Sequence, residues 1–358
     1  MKKKAEIRAY RKEDMNGLLE AANKVFGDVL TPDYWRWKYH DNPVSGYEIS
    51  ALAESEGEIV AFIGAHLRRF DVQGQPMIGT REDDLFVAEE WRKSRLYLQV
   101  FKKRVELQKA RGIEFSFGCA NPIISKVALK LFNIRRVTSI TRVVLPVGLS
   151  PYLARFLPSP VARMLAWPMD RFLVWRATKG SRLPSGMKLE KLDRFDERFD
   201  RLWERMRGDY PIIGVRDADY LNWRFVANPA IRYERLAVVD DKGEIRGYLV
   251  AGFRREKIGM GQIADLVVPR NEDPRVARSL IAESVRLFSR CGMRGIACWM
   301  LPHTHLFQIL SAMGFTPRGE GRIDLAFRNT DLENEAIPLD FALDSENWFF
   351  TLCDSDTA

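Results

Sequence analysis

YWRWKYHDNPVSGYEISALAESEGEIVAFIGAHLRRF runs from Tyr34 to Phe70, and YLNWRFVANPAIRYERLAVVDDKGEIRGYLVAGFRRE runs from Tyr220 to Glu256. At a constant offset of 186, with no gap, 13 of the 37 aligned pairs are identical, among them Tyr34/Tyr220, Trp37/Trp223, Asn42/Asn228, Pro43/Pro229 and Gly57/Gly243. Average composition would give about two or three by chance. The order continues downstream: Asp84-Leu85-Phe86-Val87 is echoed by Asp265-Leu266-Val267-Val268, and Arg111-Gly112-Ile113 by Arg294-Gly295-Ile296. The chain therefore reads as two copies of one domain, 1–145 and 187–330, with an apolar connector at 146–186 and a tail at 331–358.

Each copy predicts the same succession of elements. A stretch of helical period comes first (Met15–Phe26; Phe195–Met206), then the Trp…Asn-Pro element, whose proline holds the preceding residue extended and favours a turn. A hairpin follows, with strands at Ile49–Ala53 and Ile59–Leu67 in the first copy and at Arg235–Val239 and Ile245–Phe253 in the second. Then come a strand (Leu85–Val87; Ile263–Val268), an amphipathic helix (Leu96–Ala110; Val276–Cys291), a strand (Glu114–Gly118; Gly295–Trp299) and a helix (Ile124–Leu131; His305–Met313). A last strand is expected to close each copy. Hairpins that lead into a β-α-β unit make an α/β (α+β) domain with a mixed, mostly antiparallel sheet flanked by helices.

That order resembles the GNAT superfamily of acyl-CoA-dependent N-acyltransferases, in tandem. The stretch Asp84 to Tyr97, DLFVAEEWRKSRLY, stands where the family has a strand followed by V-x-P-x-x-[RQ]-G-x-G-x-[GA]. Phe117-Gly118-Cys119-Ala120-Asn121 stands where the family ends its next strand and places an asparagine, and Ala312-Met313-Gly314-Phe315 where it has x-x-G-F. The resemblance covers roughly 300 residues. It implies acetyl-CoA or another acyl-CoA as co-substrate and a small-molecule amine, amino acid or amino sugar as acceptor. Aminoacyl or long-chain acyl transfer, or a binding protein that kept the fold and lost the chemistry, are the alternatives. It also implies that a backbone N–H within Leu85, Phe86 and Val87 polarises the thioester carbonyl.

The strand-to-helix junction would hold the pyrophosphate, because a helix start offers unpaired N–H groups and partial positive charge. In the first copy the candidates are Arg92, Lys93, Ser94, Arg95, Leu96 and Tyr97. Three cations there oppose the positive helix end, a conflict that a bound phosphate relieves. The family's glycines are replaced by Lys93, Arg95 and Tyr97, and Tyr97 is placed to crowd the phosphates. In the second copy Pro269-Arg270-Asn271-Glu272-Asp273-Pro274 offers no glycine, and Asp273 reads as an N-cap that would repel an anion. The first copy is thus the expected cofactor site, with Asn121 bonding the pantetheine arm or capping the helix that follows it. The family's usual acid, a tyrosine on the helix after the asparagine, has no counterpart in either copy. Glu82, Asp83 and Asp84 precede the central strand. One of them is a candidate general base, with clustering expected to raise at least one pKa. A solvated acidic loop is the plainer alternative.

Charge and composition narrow the partners. Fifty-six basic residues against 48 acidic ones leave a net charge of +8, which suits an anionic small ligand as well as nucleic acid. Trp35-Arg36-Trp37-Lys38-Tyr39 and Asn222-Trp223-Arg224-Phe225 interleave basic and aromatic residues, but their recurrence at matching positions points to a structural role and not to nucleic acid. Cys119, Cys291, Cys298 and Cys353 form no CxxC pair, and His303-Thr304-His305 reads as a loop and helix cap, so no metal is expected. A basic start without an apolar core and unpaired cysteines suggest a cytoplasmic setting. Prolines and arginines interrupt Val143–Trp175, so it is not a transmembrane helix. The connector reads as a helix packed between the copies, with a lid or a weak interfacial membrane contact as alternatives. The tail is expected to dock its aromatic residues, Trp348 to Phe350, as a strand.

Overall fold

A computed structural model describes residues 4–27, 30–44, 46–120, 132–253, 259–319 and 323–355. The chain forms two compact units that depart from the order of the repeats. Unit 1 comprises Met1–Thr138, Ala227–Ala230 and Asp324–Asp344; unit 2 comprises Ser139–Val226, Ile231–Ile323 and Ser345–Ala358.

Unit 1 opens with β1 (Glu6–Ala9), α1 (Met15–Phe26) and a short α2 (Pro32–Trp35) that runs into a π-helical turn at Arg36–His40. Strands β2 (Ala51–Ser55), β3 (Glu58–Val72) and β4 (Gln75–Val87) form an antiparallel meander; α3 (Leu96–Ala110) crosses over, and β5 (Phe115–Ala120) returns parallel to β4. Helix α1 forms where Leu18, Leu19 and Ala22 make one apolar stripe, which packs with Tyr10, Phe62 and Phe86 on one face of the sheet. On the other face Leu96, Val100 and Phe101 of α3 pack against Ala61 and Ile63.

Unit 2 begins within β6 (Arg135–Pro146) and continues through α4 (Ser150–Leu153), α5 (Ser159–Thr178), β7 (Lys188–Leu192), α6 (Glu197–Met206), β8 (Ile212–Gly214) and α7 (Ala218–Phe225). Then follow β9 (Arg232–Val239), β10 (Ile245–Phe253), β11 (Met260–Val267), α8 (Pro274–Arg290), β12 (Gly295–Met300), α9 (His305–Ala312) and β13 (Thr316–Pro317). Strand β14 (Ile323–Asn329) and α10 (Leu339–Leu343) belong to unit 1, and β15 (Trp348–Phe349) to unit 2.

The sheets match strand for strand: β1-β2-β3-β4-β5-β14 in unit 1 and β7-β9-β10-β11-β12-β6 in unit 2. Each has one parallel pair, β4 with β5 and β11 with β12. The sixth strand differs from the expectation that each copy closes itself. Strand β14, from the end of the second repeat, pairs with β5 over Asp324↔Ala120 to Asn329↔Phe115, whereas β6, from the end of the first repeat, pairs with β12 over Gly295↔Pro146 to Met300↔Thr141. Alternating hydrophobicity announces a strand but not the edge it joins. In unit 1 the exchange is anchored by Gln108, which donates to the Thr330 hydroxyl at 2.6 Å, and by Arg328, which donates to the Phe132 carbonyl at 2.9 Å.

The repeated Trp…Asn-Pro element is structural. Asn42 accepts the Val44 N–H and Asn228 the Ala230 N–H, both at 2.9 Å, and Trp35, Trp37 and Trp223 are buried. In the tail, Trp348 and Phe349 pair with Ile212 and Ile213 of β8 as a parallel strand. The connector helix α5 buries Ala162, Ala166 and Ala177 within unit 2 but leaves Trp167, Phe172 and Trp175 exposed, so it is not enclosed on all sides. Among the described residues no helix is long and apolar enough to cross a membrane.

Candidate functional site

In unit 1, β4 and β5 run side by side only over Gly79↔Phe115, Thr80↔Ser116 and Arg81↔Phe117, although they continue to Val87 and Ala120. Beyond Arg81 the sheet splits. On its other edge β4 carries a bulge: Phe62 faces Phe86 and Gly64 faces Asp83, so Ile63 stands opposite both Asp84 and Leu85. A bulge turns backbone groups away from the ladder, here beside the split. Asp84 adopts φ +49°, a left-handed conformation that aspartate tolerates better than most residues.

The three acids lie inside β4, not in a solvated loop ahead of it, and each has a different setting. Asp84 is held at the bulge by the Lys38 ammonium and the Tyr39 hydroxyl, both donating to one carboxylate oxygen at 2.7 Å. Asp83 is buried beneath the α1 side, where Arg81 donates to it through Nε and Nη2 at 2.8–3.1 Å and His66 Nδ1 lies 2.8 Å away. Burial pushes the Asp83 carboxyl up, but Arg81, Lys38 and His66 outweigh it and hold the group well below the ordinary carboxylate range. Clustering therefore does not raise this acid. Burial and Arg81 lower the His66 imidazole to about 4 against the pull of Asp83, so at neutral pH it is uncharged. Glu82 points to the α3 side and accepts from Arg104 Nη2 at 2.6 Å.

The end of β4 joins both cores: Leu85 and Val87 pack with the α3 cluster and Phe86 with the α1 cluster. A single turn at Glu89–Trp91 precedes the helix, and Arg92, Lys93, Ser94 and Arg95 are exposed ahead of it. Ser94 Oγ accepts the Leu96 N–H at 3.1 Å, and Arg95, the N-cap residue, makes no side-chain cap. Leu96 is buried. Tyr97 does not stand over the helix start: its ring meets Phe132 edge-on at 5.1 Å, and burial with nearby Glu82 pushes its hydroxyl up. The α1 side of this junction opens as a groove of about 690 Å³, lined by seven acids, among them Glu13, Glu20, Glu58, Glu89 and Glu90, and only three bases. Asn121 and the helix expected at Ile124–Leu131 lie outside the described residues.

Unit 2 has the same frame with a different filling. The β11–β12 register ends at Ile263↔Cys298, and β11 bulges at Ala264, because Val250 faces Asp265 and Ala251 faces Ile263. Asp265, the counterpart of Asp84, is fully buried and bonded to the Tyr248 hydroxyl at 2.7 Å, the Thr351 hydroxyl at 2.8 Å and Arg216 Nε at 3.3 Å. Arg216 in turn meets Asp354 at 2.7 Å. The chain's own tail thus closes this bulge. At the helix start Asp273 caps Arg275 N–H at 2.8 Å and pairs with its guanidinium, occupying the place an anion would take.

Sequence reading missed Lys38, Tyr39, His66 and Arg81, which fix the bulge. A signal was present in His66 and Arg81, polar residues at inward positions of strands that otherwise read apolar.

No family model matches the sequence, and no curated protein matches it. Solved structures do. The chain is similar to a conserved Enterococcus faecalis V583 protein of unknown function described as a probable N-acyltransferase (TM-score 0.66, 8% identity, 92% of this chain and 73% of that one). It is similar to a tandem GNAT protein from the clavulanic acid biosynthesis pathway (TM-score 0.59, 13% identity, 92% and 99%) and to Saccharomyces cerevisiae N-myristoyltransferase with bound myristoyl-CoA (TM-score 0.58, 14% identity, 90% and 82%). The fold is a tandem GNAT fold.

Proposed function

We propose that the protein transfers an acyl group from acetyl-CoA or another acyl-CoA to the amine of a small molecule, amino acid or amino sugar, with the thioester seated in unit 1. The observation that carries this reading is the parting of β4 from β5 beside a bulge held by Asp84. A pantetheine arm entering the split replaces the missing strand, and a backbone N–H of Leu85–Val87 polarises the carbonyl. Arg92, Lys93 and Arg95 face the phosphates at the start of α3. The neutral amine nitrogen attacks the carbonyl carbon, the C–S bond breaks with coenzyme A leaving as its thiolate, and the proton shed by the nitrogen passes through a base to that thiolate.

Asp83 is a poor base, since Arg81 and Lys38 already balance its charge and hold its carboxyl well below the ordinary range. Asp84 is committed to Lys38 and Tyr39. Glu82 meets Arg104 through one oxygen and keeps a quarter of its side chain in solvent, and it is the acid we assign as base.

Acyl-CoA at about 100 times its Kd should stabilise the protein by about 2.7 kcal/mol in a thermal-shift titration. Arg92→Glu with Arg95→Glu should abolish the shift, and Asp273→Lys should leave it. Glu82→Gln should keep the shift and lose turnover. Loss of binding through Asp273 alone would place the site in unit 2. No shift with short or long acyl-CoAs would favour a binding protein without this chemistry.

A further inference from the structure

Among the described residues the connector holds most of the exposed large apolar side chains. Phe156, in the turn before α5, and Met164, Leu165, Trp167, Phe172 and Trp175 on the helix are between 50% and 85% exposed. Taking about 200 Å² for each large side chain, these six leave on the order of 700 Å² of apolar surface in water. That exceeds the roughly 300–600 Å² of the largest patch on a typical monomer.

The helix is built in two faces. At about 100° per residue, Ala162, Ala166 and Ala177 fall on one side, and they are the residues buried against the unit. Met164, Trp175, Phe172, Val161 and Leu165 share an arc of about 100° on the opposite side. Arg163 and Arg171 border that arc on one flank and Arg176 on the other, all exposed. Arg171 lies over the Trp167 ring at 5.2 Å and Lys179 over the Trp175 ring at 5.3 Å. The one acid of the helix, Asp170, is turned inward and accepts the Leu149 N–H at 2.6 Å. The outer face therefore presents aromatic rings and positive charge with no negative charge among them.

We infer that the outer face of α5, with Phe156, docks on an anionic lipid bilayer, the helix lying in the headgroup layer parallel to the membrane. Tryptophan rings suit that depth, having an apolar body and one N–H. Arginine stems cross the apolar boundary while their guanidinium groups stay among lipid phosphates. Charge excludes the simplest rival. A two-fold contact between copies would bring Arg163, Arg171 and Arg176 of each against the same residues of the other. Nucleic acid fits less well, since the rings protrude from a convex helix and line no basic groove.

The inference is independent of acyl transfer, and its test uses no acyl-CoA. The full chain is mixed with vesicles of phosphatidylcholine, pure or with about one-third phosphatidylglycerol, and floated on a density gradient. The anionic vesicles should carry the protein, with a blue shift of tryptophan emission, and raising salt from about 0.05 to about 0.5 M should release most of it. Phe156→Ser with Trp167→Ser and Trp175→Ser should lower partitioning at least about tenfold. Arg163→Glu with Arg171→Glu should do the same while circular dichroism and melting stay unchanged. Equal flotation with pure phosphatidylcholine, or variants that float like the parent, would overturn the inference. So would a concentration-dependent dimer, or an RNA or DNA complex, that the serine variant abolishes in place of vesicle binding.

Discussion

Replacing Lys38 by methionine tests whether charge holds the β4 bulge. The Lys38 ammonium lies 2.7 Å from Asp84 and 3.7 Å from Asp83, with only 3% of its side chain exposed. Methionine keeps most of the stem's volume and removes the charge. Taking one partner from a buried ion pair costs about 3–5 kcal/mol. Tyr39 still donates to Asp84, and Arg81 and His66 still face Asp83, so the lower end, about 3 kcal/mol, is expected at pH 7. The pH dependence follows from Asp83, whose carboxyl burial raises but Arg81, Lys38 and His66 hold well below 3.8. A depressed carboxylate stabilises the fold above its unfolded pKa, and that stabilisation is lost as pH falls through the folded value. Without Lys38 the folded value rises, so the variant has less to lose, and its deficit should shrink as pH falls below about 4. Urea titrations between pH 7 and pH 3, with hydrogen exchange of β3 and β4 peptides to locate the loss, measure both effects. Adding Asp84→Asn removes both charges and should recover most of the deficit. A deficit under about 1 kcal/mol at pH 7, a deficit constant with pH, or no recovery in the double variant would refute the reasoning.

Two glycines beside the split should behave oppositely. A Cβ on Gly64 would sit 2.0 Å from the Tyr39 hydroxyl oxygen and 2.9 Å from the Asp83 carbonyl oxygen, so Gly64→Ala should cost about 1–3 kcal/mol in urea unfolding and displace Tyr39 from Asp84. On β5 a Cβ at Gly118 meets nothing within 4 Å among the described residues, so Gly118→Ile should leave the melting temperature within a few degrees and remove the acyl-CoA shift. His66 should titrate near pH 4 in the folded protein. Because its folded pKa lies below the unfolded value of 6.5, its neutral form stabilises unit 1 fully above pH 6.5, and about 3 kcal/mol is lost as pH falls from 6.5 to 4. An NMR titration of the ring and the loss of that slope in His66→Gln check it.

The sequence was most informative where local chemistry recurs. Trp37 and Trp223 with Asn42 and Asn228 build the same turn twice, because a side-chain amide two residues before a free N–H makes that turn wherever it stands. Helices α1 and α3 begin and end where their apolar periodicity says. The acids were found and misplaced: a run of three charges looks solvated until Arg81, His66, Lys38 and Arg104, drawn from four elements, are seen around it. Strand exchange was illegible for a related reason. The residues of β14 state that they form a strand and are silent on the two candidate edges, β5 and β12, which offer equivalent backbone groups.

The exchanged strand makes the order of synthesis matter. Ala120 reaches its partner Asp324 only after about 200 further residues have left the ribosome, which at ordinary rates takes roughly 10–40 s. Throughout that interval the first-made sheet has its β5 edge bare, an invitation to any passing strand.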